Sequence, residues 1–154
     1  MMQQTLRVVC ACSVRMMPDG SASTSTSLQG LQQCVAEFDR RKAANAVPDM
    51  KLVISMSFGS SADASKAVWD AAINQLMAQR SDILLVAAAG NEGINGELSY
   101  PAGHPQVLGV AAVDANGDVA SFSTRQKSVS IAGPGARLHC SSSNSSSSSS
   151  SNSR

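Results

Sequence analysis

Charge and aromatic side chains are scarce in this sequence. Charged residues fill 15% of its 154 positions, against about 25% in an ordinary globular protein. The formal net charge is +1, with no basic face to neutralise a phosphate backbone, which argues against nucleic acid as a partner. The aromatics are Phe38, Phe58, Trp69, Tyr100 and Phe122, so the core must be aliphatic and alanine-rich. No apolar run has the roughly 20 residues of a membrane span, and no membrane partner is expected. The Val-Val-Cys-Ala-Cys run within Met1–Met17 is too short for the core of a secretory signal. It reads as an internal strand, unlike a natural amino terminus.

Paired cysteine spacing is also missing. Cys10 and Cys12 alternate on an expected strand, Cys34 falls on a helix and Cys140 adjoins a serine tract. None forms the C-x-x-C of a structural zinc site or a redox motif, so they read as small buried hydrophobes. Eleven of residues 141–154 are serine, a composition that cannot build a packed core. The chain therefore divides into a folded part over 1–139 and a disordered polyserine tail over 140–154.

What is present has a regular rhythm. Leu6–Cys10 reads as a buried strand, Pro18-Asp19-Gly20 as a turn, and Ser27 as a helix N-cap. Leu28, Leu31, Cys34, Val35 and Phe38 then recur at helical spacing, with Arg40, Arg41 and Lys42 at the end favoured by the helix dipole. Lys51–Met56 is a strand closed by Gly59-Ser60-Ser61. Val68, Ala71, Ala72, Leu76 and Met77 form the apolar stripe of a second helix, and Ile83–Ala89 is a fully apolar strand. Beyond an irregular loop over 91–105, Val107–Val113 is a strand, Asn116-Gly117 a tight turn, Val119–Ser123 a short returning strand and Ser128–Ala132 a last strand. Strand and helix alternating in this way predict an α/β fold, a parallel β-sheet flanked by helices on both faces.

In such a sheet, ligands bind beyond the carboxyl ends of the strands. Two ends stand out: Ser57-Phe58-Gly59, and Ala88-Ala89-Gly90-Asn91-Glu92-Gly93. Glycine there admits a close backbone approach, and extended segments offer unpaired N–H and C=O groups to a peptide. Asn91 carries an uncharged amide able to donate to a developing oxyanion; an isolated Gly-Asn pair is otherwise an ordinary turn. Gly90, Gly93 and Gly96 are spaced G-x-x-G-x-x-G, which is not the dinucleotide fingerprint, and no phosphate-binding lysine follows.

In order along the chain, Val53-Ile54-Ser55-Met56-Ser57-Phe58-Gly59 and Val86-Ala87-Ala88-Ala89-Gly90-Asn91-Glu92-Gly93 are followed by Tyr100-Pro101-Ala102 and Pro105. Then come Val107–Asp114, Ala120-Ser121-Phe122-Ser123 and Gly133-Pro134-Gly135. This series resembles the subtilisin-like serine proteases (subtilases, peptidase family S8) over about residues 6–138, and its Gly-Pro-Gly ending is nearer the proteinase K side. The resemblance implies an incomplete subtilisin-like peptidase domain over 1–139 and a peptide or protein substrate. It makes Asn91 the oxyanion-hole residue, and Ser57, Phe58 and Gly59 the segment pairing with substrate backbone. Ala88, Ala89 and Gly90 would line the pocket before the scissile bond, with Glu92 at its rim. Phe58 replaces the more usual leucine.

The family's Asp-His-Ser triad has no counterpart in these residues. Neither His-Gly-Thr-His nor Gly-Thr-Ser-Met-Ala occurs. Asp19 reads as a turn residue, His104 as a surface loop residue, and His139 matches nothing. The expectation is a fragment of a serine endopeptidase, inactive as given. The alternative is a non-catalytic protease-like module that binds extended peptides or a protein partner. No cofactor is expected in this fragment. The resemblance associates calcium with the full-length domain, through carbonyls near Pro105 and Val107 and a strand carboxylate whose position here is Ser130. Relatives of this kind are mostly secreted or vacuolar.

Overall fold

The computed structural model describes residues 22–45, 49–60, 62–126, 129 and 131–136. The elements run α1 (Thr24–Asn45), β1 (Leu52–Met56), α2 (Ala62–Met77), β2 (Ile83–Ala88), β3 (Val107–Val113) and β4 (Ile131–Pro134). The four strands form one sheet in the order β1-β2-β3-β4, and every adjacent pair is parallel. The expected Leu6–Cys10 strand, the 18–20 turn, Ser130 and the serine tail lie outside the described residues.

Sheet register follows from burial. Ile54 pairs with Leu85, and Leu85 with Val107, so alternate residues of three strands present one apolar face. Leu31 and Phe38 of α1 and Trp69 and Ile73 of α2 close over that face. The α/β class with a parallel sheet is as the alternating pattern implies, and both described helices sit on this same side. The reverse side carries Val53, Leu84 and Ile131, which are 44%, 46% and 48% exposed. No described helix covers them.

Three local expectations are corrected. Helix α1 is capped by Ser23, whose Oγ accepts the Thr26 N–H at 3.1 Å; Ser27 lies buried inside the first turn. The serine- and threonine-rich run offered several capping hydroxyls, and packing of the helix selected the earlier one. On α2, Val68 and Ala71 point outward, while Trp69 and Ile73, 2% and 0% exposed, carry the buried stripe. The helix is rotated so that its single tryptophan reaches the sheet. Further on, Val119 makes one antiparallel bridge to Val113 rather than a returning strand.

An ion-pair network fastens α1 to the turn before β2. Arg80 donates to Asp39 Oδ1 at 2.8 Å and Oδ2 at 3.0 Å, and to Asp82 Oδ1 at 2.8 Å. Lys42 Nζ donates to Asp82 Oδ2 at 2.7 Å. The Arg80 guanidinium, with Lys42 behind it, holds the Asp82 carboxyl well below the usual carboxylate range. A depressed carboxylate stabilises the fold above its unfolded value of about 3.9 and loses that contribution as pH falls toward its folded value. Asp82→Asn should therefore cost about 1.5–3 kcal/mol at pH 7. Urea unfolding of variant and parent should differ most at neutral pH and draw together below about pH 4.

Candidate active site

The candidate site is built where β1 and β2 end. Met56 pairs with Ala87, so Ser57-Phe58-Gly59 leaves the sheet beside Ala88-Ala89-Gly90. Phe58 packs its ring 6.2 Å from Trp69, which ties the first segment to the core. Ala89 is anchored from below, its N–H donating to Val110 O at 3.0 Å. Gly90 has φ +118°, a backbone geometry essentially closed to other residues. It turns the chain out of the strand and leaves Asn91 exposed at the end. The structure thus brings Ser57, Phe58, Gly59, Ala88, Ala89, Gly90, Asn91 and Glu92 to one end of the sheet.

Residues 120–124 brace this turn from the side of β3. Ala120 N–H donates to Ala112 O at 2.8 Å, and Ala112 N–H to Ser123 Oγ at 3.0 Å. Thr124, fully buried, gives its N–H to Gly90 O at 3.1 Å. Its hydroxyl accepts the Glu92 N–H at 3.2 Å and donates to Glu92 Oε2 at 3.0 Å. Asn91 is therefore held between two residues fixed by the same threonine. A third segment joins the two strand ends: Ser99 N–H donates to Ala89 O at 3.2 Å, and Ser60 and Tyr100 exchange backbone bonds of 3.0 and 2.9 Å. Thr124 and Ser99 escape a reading of periodicity because neither belongs to a regular element. The visible signal is a small polar residue at the edge of an apolar stretch.

His104 is not on the surface. It is 4% exposed, held by the turn 101–106, in which its N–H donates to Pro101 O at 3.1 Å. Its Nδ1 accepts the Gln106 N–H at 3.1 Å, and Nε2 lies 3.9 Å from Asp70 Oδ1. Burial pushes its pKa down against the opposing pull of Asp70. Lys66 completes the group, donating to Asp70 Oδ2 at 2.6 Å and Tyr100 Oη at 2.9 Å. The loop Gly-His-Pro looked solvent-bound; its neighbour across space is α2, invisible from local composition.

A sequence model of the subtilase family matches residues 11–154. The chain belongs to the subtilase family. Among its curated relatives, a thermostable alkaline protease of Halalkalibacterium halodurans is 36% identical over 121 residues, covering 79% of this chain and 29% of that protein. The subtilisin-like serine protease Pen c 1 of Penicillium citrinum is 35% identical over 120 residues, covering 78% of this chain and 28% of its own length. In structure, the chain is similar to the psychrophilic subtilisin-like protease Apa1 of the Antarctic Pseudoalteromonas sp. AS-11, at TM-score 0.52 and 34% identity over 75% of this chain and 22% of that one. This subtilase chain thus spans less than a third of the length of these relatives.

Proposed function

We propose that this chain supplies the substrate-binding strands and the oxyanion donor of a serine endopeptidase. The observation carrying this reading is the juxtaposition of two glycine-bearing strand ends with an exposed amide, Asn91, braced at their mouth. An extended peptide enters as an added strand, its N–H and C=O groups pairing with Ser57-Phe58-Gly59, while Ala88-Ala89-Gly90 lines one wall of the pocket for the residue before the scissile bond. Its scissile carbonyl then lies near Asn91. As a nucleophile adds, charge collects on the carbonyl oxygen, and the Asn91 amide donates to it without titrating. Glu92, hydrogen-bonded to Thr124, sets the rim of the pocket for the residue before the scissile bond.

The nucleophile, its base and the orienting carboxylate belong to motifs that these 154 residues do not contain. An unactivated serine hydroxyl is a weak nucleophile, so the chain alone binds peptide without cutting it. At Ser130, the position matched to the calcium carboxylate, serine supplies no charge for a hard cation.

The test pairs two measurements on the full chain. A serine-directed fluorophosphonate should leave it unlabelled, and a fluorescent extended peptide should bind it saturably. Labelling of this chain would contradict the assignment of its silence to the missing triad. Absence of saturable binding to folded protein would overturn the binding role.

A further inference from the structure

Asn91 can present its amide to an oxyanion only while the backbone that carries it stays in place. Among the described residues none hydrogen-bonds its exposed side chain, so its aim is set by the turn over 90–96. That turn is tight. A methyl group on Gly96 would collide with Glu92 Cβ and lie 2.9 Å from the Glu92 carbonyl carbon, and Gly96 N–H donates to Gly93 O at 3.3 Å. Segment 122–126 holds the turn at four places. Gly93 N–H donates to Phe122 O at 2.9 Å, and Thr124 N–H to Gly90 O at 3.1 Å. Glu92 N–H donates to Thr124 Oγ1 at 3.2 Å, and Gln126 Nε2 to Gly96 O at 2.9 Å.

The first two bonds are backbone to backbone and ask nothing of the side chains. The other two require a hydroxyl at 124 and a donor at 126. The Thr124 hydroxyl is fixed in sense as well as in place: its proton goes to Glu92 Oε2 at 3.0 Å, which turns a lone pair toward the Glu92 N–H. Thr124 is fully buried. Without its hydroxyl, the peptide N–H that follows Asn91 loses its acceptor.

We propose that Thr124 and Gln126 are positioning residues that hold the turn over 90–96 in the orientation from which Asn91 donates to an oxyanion. This inference rests on the oxyanion reading of Asn91 above. Neither side chain touches the substrate; both act through Asn91. Their bonds exist before a ligand arrives, so a bound oxyanion meets a donor that needs no further ordering.

The test uses the full 154-residue chain and two fluorescent peptides of one sequence, ending in an amide or in a phosphonic acid. The tetrahedral anionic phosphonate stands in for the tetrahedral intermediate and binds without forming a covalent bond. Anisotropy gives both affinities for each variant. The parent should favour the phosphonate about tenfold, the scale of a hydrogen bond to a charged group. Asn91→Ala should abolish that preference. Thr124→Val, similar in shape but without the hydroxyl, should reduce it about fivefold while the amide peptide binds as it does to the parent. Thr124→Ser should restore it. Gln126→Ala should reduce it about twofold.

Circular dichroism establishes that each variant is folded, and Gln126→Ala, at an exposed position, carries the test if Thr124→Val is not. An unchanged preference in the folded variant overturns the proposal. So does equal weakening of both peptides, which is what a merely structural role produces, or failure of Thr124→Ser to rescue. If the parent shows no preference, or Asn91→Ala keeps it, the oxyanion reading fails and the positioning role falls with it. An effect of Asn91→Ala with none of Thr124→Val removes the positioning role alone.

Discussion

Asn91→Ala, in a subtilase chain carrying these residues together with an Asp-His-Ser triad, is expected to lower kcat about 100- to 1000-fold while KM hardly moves. The size corresponds to roughly 2.7–4 kcal/mol for one oxyanion donor, a magnitude known from a member of this family. The split between kcat and KM follows from where the amide acts. In the proposed role it meets a full hydrogen-bond partner only when negative charge has formed on the carbonyl oxygen, so the ground-state complex is largely indifferent to its loss. Gly90 and Glu92 on either side are fixed through Thr124, so the donor is held in place before substrate arrives. Asn91→Asp should be at least as damaging, since a carboxylate repels the developing oxyanion. Steady-state kinetics on a chromogenic peptide anilide separates the possibilities. A raised KM with unchanged kcat would instead make Asn91 a uniform binding contact.

Trp69→Ala should remove about 3–5 kcal/mol of stability, the usual cost of deleting a large buried aromatic. That is a major part of the 5–15 kcal/mol available to a typical domain. Trp69 is 2% exposed in the middle of the α2 interface, and its ring lies 6.2 Å from Phe58. The cavity would therefore open directly beneath one wall of the candidate site. Urea unfolding followed by circular dichroism should show a lower midpoint with little change in slope. Peptide affinity should fall as well, because Phe58 loses the surface that orients its segment. Trp69→Phe should restore most of both properties. A variant with parental midpoint would mean that the tryptophan contributes little to packing despite its burial.

How much of this was legible beforehand varies by element. Strands β1, β2 and β3 can be read from continuous apolar runs ended by glycine or a polar turn, and β3 falls on Val107–Val113 as its composition implies. Helix α1 shows its inward stripe through Leu31 and Phe38. On α2, Leu76 and Met77 pack against the core as the apolar stripe implies, but Trp69 takes the place of Val68, because the two are adjacent and hydrophobicity alone does not say which of two neighbours faces the sheet. The same limit applies to Ser23 and Ser27, two hydroxyls of equal capping chemistry a turn apart.

The site divides along the same line. Asn91 and the segments 57–59 and 88–90 stood out because small residues and an amide at strand ends carry chemical meaning locally. By itself, then, the sequence determined the order of strands and helices, membership of the subtilase family and the residues gathered at the strand ends. Only the tertiary structure decided that both described helices cover one face, that His104 is buried against α2, and that Thr124 and Gln126 brace the turn carrying Asn91. The physical reason is the range of the interactions. Periodic burial and turn chemistry act between near neighbours in the chain, whereas each of these contacts joins segments brought together only by the parallel register of the sheet.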